Sequence, residues 1–438
     1  MLYNSMIDDV NRHAVKLRPA CGAPVLEKYS FGVGDRFGHQ ATAQLKAFLQ
    51  LERDGVVVVP VWNKSNREHT FIGSEPESVL SAAIAAVEST SWKHSWHVDA
   101  DHIRIDTVDR FIDVSDFFTI DVANHIGMPP SDAELSGFLD RHPEFQKPLN
   151  IPGLTEPLKI SWESLQSISR HYLAATQEAG HVYRHISMHR RNLPSIIEVS
   201  IDETHSPQTP AELLVILAAL SDQDIPLQTI APKFTGRFNK GVDYVGNVDQ
   251  FAREFEDCIA ILKFAVEKYA FPKNLKLSVH SGSDKFSIYP IISNLLRKTD
   301  AGLHVKTAGT SWLAEIIGLC EAGGDGLAIV QEIYSAAYHD WEALCLPYSD
   351  VIDIDPGKLP SPESIDKTSG TEFAAMMQHD ATCSHFNANV RQLMHVSFKL
   401  AANKGNRYLD LLKQHSEIVG NQVTRTIYEK HLKKLFAN

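Results

Sequence analysis

The chain of 438 residues has no run of basic residues; 42 Lys and Arg against 54 Asp and Glu leave a formal charge of −12, spread along its length. That balance argues against a nucleic-acid partner, whose phosphates need a clustered cationic face. Cysteine is sparse. The five present (Cys21, Cys258, Cys320, Cys345, Cys383) form no Cys-x-x-Cys pair, which argues against a disulfide framework or thiolate zinc site and for a reducing cytoplasm. No apolar run approaches the ~18 residues of a membrane span, and "MLYNSMIDDVNRH" lacks the basic-then-apolar order of a signal peptide. His-Glu-x-x-His and Gly-x-Ser-x-Gly are both missing, so there is neither a local zinc motif nor a serine elbow. No internal repeat or low-complexity segment occurs.

What the sequence does contain is an alternation of short apolar runs and stretches of helical period. "KYSFGVG" (28–34), "GVVVVPVW" (55–62), "SWHVDADH" (95–102), "SIIEVSIDE" (195–203), "LQTIAPKF" (227–234), "NLKLSVHSG" (274–282) and "AGLHVKTAG" (301–309) read as seven strands. Most are followed by helical stretches such as "PQTPAELLVILAAL" or the stripe Phe251, Phe255, Cys258, Ile259, Leu262 and Val266. The repeated strand–loop–helix unit predicts a parallel sheet covered by helices. An eighth strand is expected in 105–190 or after 325, with helices and an insertion in 107–185. Two architectures satisfy this pattern. An open doubly wound sheet gathers its polar groups at one switch point, whereas a barrel carries them at the carboxyl ends of many strands. Polar clusters follow at least five strands here, which selects an α/β fold, a (βα)8 TIM-like barrel over residues 20–345. Residues 346–438 change character: "IDPGKLPSPES" reads as a connection to a helical C-terminal extension built around Phe373, Leu393, Leu409 and Ile418.

"FGVGDRFGHQ" (31–40) comes close to a dinucleotide fingerprint, but its glycines are spaced one residue too long and no acidic strand end follows about 20 residues on. The glycines are better explained by a tight strand-to-helix turn that presents Asp35, Arg36 and His39 at the barrel mouth. A divalent ion, Zn or Mn or similar, is the better expectation, because imidazoles and carboxylates at separate strand ends can converge on one cation. His102, Glu203, His280 and His304 are the ligand set that this placement suggests; with 21 histidines in the chain, surface or core positions compete with that reading for each. Asp99, Asp101, Asp202 and Asp284 are candidate acids or bases beside such an ion, with helix capping the competing account of Asp284. Lys233 and Arg237, on a glycine-bearing loop, and Lys306 suit a carboxylate or phosphate, and Lys233 is also a candidate catalytic group. Ser281 to Asp284 offers backbone donors at an expected helix start. Arg237 and Lys240 would otherwise be solvated, Cys258 and Cys320 sit on apolar helical faces, and His94 and His97 read as bystanders.

The segments "FGVGDRFGHQ", "DADHI", "SIDETHSPQTP", "TIAPKFTGRF", "LKLSVHSGSDKFSIYP" and "GLHVKTAGTSW" resemble the tagaturonate epimerase family of bacterial hexuronate catabolism, over residues 31 to 312. The resemblance implies a metal-dependent interconversion of D-tagaturonate and D-fructuronate; the ligand set above stays a positional inference. The two ketouronates differ at a hydroxyl-bearing carbon β to the ketone, which simple enolisation does not acidify. Transient oxidation by a nicotinamide or retro-aldol cleavage with re-addition to the other aldehyde face are the remaining routes, and the poor glycine fingerprint disfavours the first. In the second, Asp101 or Asp202 shuttles the hydroxyl proton. A small ketouronate is then the expected partner, with homo-oligomerisation left open. A metal-dependent sugar isomerase or aldolase would use nearly the same residues, and a non-catalytic sugar-acid binding protein would need only the cations.

Overall fold

The computed structural model describes residues 24–191, 195–204, 206–307 and 309–437; Cys21, the leading segment and the first residues of the 20–345 barrel span lie outside them. Eight parallel strands close in sequential order into a barrel. They are β1 Tyr29–Gly34, β2 Val59–Ser65, β3 His97–Ile103, β4 Phe117–Asp121, β5 Ile196–Ser200, β6 Leu227–Ala231, β7 Lys276–Val279 and β8 Leu303–Thr307. All seven strands read from the sequence are present, and the eighth, β4, falls within 105–190. Its five residues, preceded by Asp116 and ending in Asp121, are too short an apolar run to stand out from their surroundings. Between β4 and the 28-residue Trp162–His189 helix lies an insertion carrying a short helix, Asp132–Arg141.

Local signals set the helix starts. Thr209 accepts from the Glu212 amide and Glu212 caps Thr209 in return, with Pro210 in the first turn, so "QTPAE" is a reciprocal cap that opens the helix after β5. Ser65 and Glu68 build the same box at the end of β2, and Glu68 there also binds Arg36 at 3.0 Å. A helix cap thereby fixes a cation at the barrel mouth.

The barrel interior departs from the branched apolar filling usual in this architecture. A five-residue apolar cluster of Leu26, Val59, Val61, Phe117 and Ile196 forms one small core. Alternation along β3, β4, β5, β6 and β8 instead buries Asp99, Thr119, Glu198, Thr229, His304 and Lys306. Buried polar groups on this scale must be paired with one another, and the pairing builds the site described below. The alternate strand residues, such as Phe31, Trp62, Val98 and Val305, belong to the main core that the strands share with the surrounding helices.

The C-terminal helices are not an isolated lobe. Their core takes Trp312 to Ala337, Phe373, Leu393 and Tyr408 together with Phe37 from the loop after β1. The last turns return to the barrel core through Val423, Ile427, Leu432 and Leu435. Of the four residues around which these helices were expected to pack, Phe373 and Leu393 are fully buried and Leu409 half-buried, but Ile418 is 42% exposed. Its neighbour Val419 takes the inward position.

At the amino-terminal end of β3, buried His97 lies between Asp116 at 2.9 Å and Glu27 at 3.2 Å. Burial alone would push the imidazole down; the two carboxylates outweigh it and raise its pKa to about 9. A raised folded-state value stabilises fully below the unfolded value and is lost as pH climbs through the folded one. The expected contribution is about 3 kcal/mol, present at pH 6 and gone by pH 9.5. Urea titrations of the wild type and His97→Gln check it: their stability difference should shrink across that interval, and a constant difference contradicts the assignment.

Candidate active site

Lys306, on β8, is the hub of the barrel interior. Its ammonium lies 2.6 Å from Asp99, 2.7 Å from Asp101 and 3.4 Å from Glu198, and also donates to the Thr119 hydroxyl. Thr119 in turn donates to Asp99 at 3.0 Å, and Thr229 donates to Glu198 at 2.8 Å. Three buried carboxylates around one ammonium leave an excess of negative charge, which shows in their protonation. Burial would lower the Lys306 pKa, but the three carboxylates raise it. Burial would raise Asp101, yet Lys306 and His102 hold it well below the usual range. Glu198 is held down in the same way by Lys306 and His280. Asp99 carries the remaining strain: burial, with Asp101 and Glu198 adding to it against Lys306, lifts it to about 7.

Two imidazoles stand on this carboxylate base. His280, at the end of β7, directs Nε2 to Glu198 at 2.7 Å, and its Nδ1 lies 3.4 Å from Asp202. His102, at the end of β3, directs Nδ1 to Asp101 at 2.8 Å. The ring centroids are 5.0 Å apart, and Ser200 orients Asp202 through a 2.6 Å hydrogen bond. His102 and Ser281 both have positive φ, 52° and 50°, a backbone state that non-glycine residues adopt only where surrounding structure imposes it. One ligand atom each from His102, Asp202 and His280 lies within 4.8 Å of the others. Each imidazole directs one nitrogen to a carboxylate behind it, Glu198 for His280 and Asp101 for His102, a support that can orient a histidine whose other nitrogen is offered to a cation. Buried His280 Nδ1 has no hydrogen-bond partner among the described residues. Two nitrogens and one oxygen suit Zn²⁺ or Mn²⁺ with positions left for substrate.

A polar cavity of about 350 Å³ opens above this group. Of the sequence candidates, Arg36, Asp101, His102, Asp202, Glu203, Ser281, His280 and Lys306 line it. Glu203 is exposed and stands outside the His102–Asp202–His280 group. His304 lies two residues before Lys306 on the same inward face of β8, deeper in the barrel, with Nδ1 2.9 Å from Ser30 and its ring 5.2 Å from Phe117. Burial pushes its pKa down to about 3, and it is not among the clustered ligand atoms. Asp35 accepts the Gly38 and Gln40 amides at 2.8 and 2.6 Å and so shapes the turn into the Ala41–Arg53 helix. His39 is exposed and does not line the cavity. Lys233 binds the Thr204 carbonyl, and Arg237 pairs with Asp353 at 3.0 Å; neither lines the cavity.

Residues 281–285 do not open a helix. The next helix begins at Tyr289, so the amide-donor reading of that segment fails, and Asp284 is no cap. Asp284 instead pairs with Arg391 at 2.8 Å, beside a second cavity of about 310 Å³. Gly32, from the near-miss fingerprint, faces the interior, where an added Cβ would meet Asn63 at 2.9 Å. Glu198, Thr119, Lys240, Tyr348, His395 and Phe398 escaped sequence reasoning as site residues. Only Glu198 carried a signal, a lone carboxylate in the otherwise apolar "SIIEVS". His395, Phe398 and Tyr348 reach the cavity from the C-terminal helices, and no local pattern reports that.

A model of the family described as tagaturonate epimerase matches residues 7–435. A tagaturonate/fructuronate epimerase of Thermotoga maritima is 26% identical over 423 residues, covering 92% of this chain and 79% of that protein. The native crystal structure of fructuronate-tagaturonate epimerase from Cohnella laeviribosi superposes with a TM-score of 0.78 at 23% identity, covering 97% of this chain and 84% of that one. A glycerol complex of the same protein gives 0.78 at 22% identity, with the same coverage. Among the described residues no helix is long and apolar enough to cross a membrane.

Proposed function

This chain belongs to the tagaturonate epimerase family, and on that footing we propose that it interconverts D-tagaturonate and D-fructuronate by retro-aldol cleavage and re-addition. The observation that carries the reading is the Lys306-centred carboxylate cluster beneath His102, Asp202 and His280 at the floor of the cavity. His102, Asp202 and His280 would hold a divalent ion, and when bound it supplies Lewis-acid polarisation of the substrate ketone.

The residues of the chain account for the remaining steps. Asp101 uses Oδ1 for both Lys306 and His102, which leaves Oδ2 to take the proton from the C4 hydroxyl. As that O–H bond breaks, the C3–C4 bond cleaves, C4 becomes an aldehyde, and the bonding pair passes into an enediolate over C3, C2 and the ketone oxygen. The Lys306 ammonium keeps the Asp101 carboxylate ionised, and Asp99, near neutrality in its proton affinity, lets the cluster store a proton without charging the cavity. Re-addition of C3 to the opposite aldehyde face and return of the proton to O4 complete the inversion. Walls from eight strands and the C-terminal helices keep both fragments together, which is what makes recombination faster than escape.

Turnover in D₂O tests this route. C4 should carry no solvent deuterium in either epimer, because its hydrogen never leaves carbon. Deuterium at C4 would exclude retro-aldol inversion, and accumulation of three-carbon products would make the protein an aldolase instead.

A further inference from the structure

The cations around the cavity are not equally committed. Arg36 binds Glu68 and the His395 carbonyl and stacks on Phe398. Arg104 pairs with Asp121 at 3.3 Å. Lys285 donates to three backbone carbonyls, those of Asn239, Val242 and Ser283, and Lys306 is enclosed by carboxylates. Lys240 and Arg67 differ: each lines the cavity, and each lies 5.5 Å from the Tyr348 ring. Among the described residues neither side chain has a hydrogen bond or ion pair. The Lys240 backbone is fixed by a 2.8 Å bond to Val351, so its position is set by the fold although its ammonium is uncommitted. Burial, reinforced by Arg36 and Arg67, pushes Lys240 down to about 8; like charges converge there at a cost that an anion would reverse.

We infer that Lys240 and Arg67, assembled against Tyr348, form the subsite that holds the substrate carboxylate. The inference rests on the ketouronate reading above and supplies its specificity. The cavity then offers two kinds of group, the imidazoles and carboxylates of His102, Asp202 and His280 for the ketone, and the cations Lys240 and Arg67 beside Tyr348 for an anion. A ketouronate has that polarity, ketone at C2 and carboxylate at C6. The chemistry requires this anchor: after C3–C4 cleavage the carboxylate remains on the three-carbon aldehyde, the fragment that must present its other face. Held at C6, that aldehyde can turn about C4–C5 without leaving. Lys240 shares the loop after β6 with Lys233 and Arg237, the two cations singled out from the sequence, but of the three only Lys240 lines the cavity. Arg67 comes from the helix after β2 and Tyr348 from the C-terminal region.

Steady-state kinetics of the full chain test it. Lys240→Met should raise KM for D-tagaturonate on the order of 10²-fold, Arg67→Met about 10-fold, and Lys240→Arg only a few-fold. The inhibition constant of D-tagatose, which carries a hydroxymethyl group in place of the carboxylate, should move less than about 3-fold in each. Exposed Arg67 keeps the test alive if Lys240→Met does not fold. Unchanged KM in the folded variants, or equal losses for tagaturonate and tagatose, overturns the carboxylate subsite. A wild type that turns over neither ketouronate overturns the functional reading itself.

Discussion

Lys306→Met is expected to lower kcat/KM for D-tagaturonate by at least about 10³-fold, the scale set by losing a preorganised charge in a water-poor site. The same substitution should destabilise the fold. Asp99, Asp101 and Glu198 all lie within 3.4 Å of the Lys306 ammonium, and the Asp99 and Glu198 side chains are fully buried. Removing one partner of a buried ion pair costs about 3–5 kcal/mol, because the other charges stay buried and uncompensated. Lys306→Arg separates the two effects. It keeps the cation, so much of the stability should return, but a planar guanidinium does not replace a compact ammonium enclosed by three carboxylates and a threonine, so activity should not. Urea unfolding beside kinetics of both variants checks this. A Lys306→Met protein as stable as the wild type would mean that the cluster is solvated or protonated throughout, and the mechanism above would lose its base.

The second large effect is expected from metal removal. Treatment with a chelator should abolish epimerisation, and re-addition of Zn²⁺ or Mn²⁺ should restore it; full activity in chelated protein would sink the metal assignment. His280→Gln should show the same loss for a local reason. His280 joins Glu198 beneath it to Asp202 beside it, so the substitution would remove a proposed ligand and leave Glu198 with one partner fewer. Elemental analysis gives a readout independent of turnover. The wild type should carry about one ion per chain and the variant far less, since losing one of three protein ligands weakens such a site severely. His304→Gln is the informative control, because His304 bonds to Ser30 deeper in the barrel and its loss should leave metal content intact.

The readability of this site in the sequence varied by element. Asp101, His102, Asp202 and His280 were legible because each follows a short apolar run, and in a parallel barrel the residues just past a strand's carboxyl end face one shared mouth. His304 and Glu203 satisfied the same rule of thumb but not its geometry. A strand's side chains alternate and descend in layers, so two residues along β8 separate the cavity wall at Lys306 from the packed interior at His304. Glu198 stayed hidden for the converse reason: mid-strand charges read as anomalies until the barrel supplies a cation opposite.

The sequence alone determined the alternation of strands and helices, the closed parallel barrel, and the family, since these follow from local periodicity and from motifs a few residues long. Tertiary structure alone decided which cations are free. Lys233, Arg237 and Lys240 lie within eight positions on one loop, and composition does not distinguish them. The first is bound to the Thr204 carbonyl and the second to Asp353, whereas the third is turned toward Tyr348, a residue more than a hundred positions away. A charge's availability depends on what the rest of the chain has already paired with it, and that is settled only when distant segments meet.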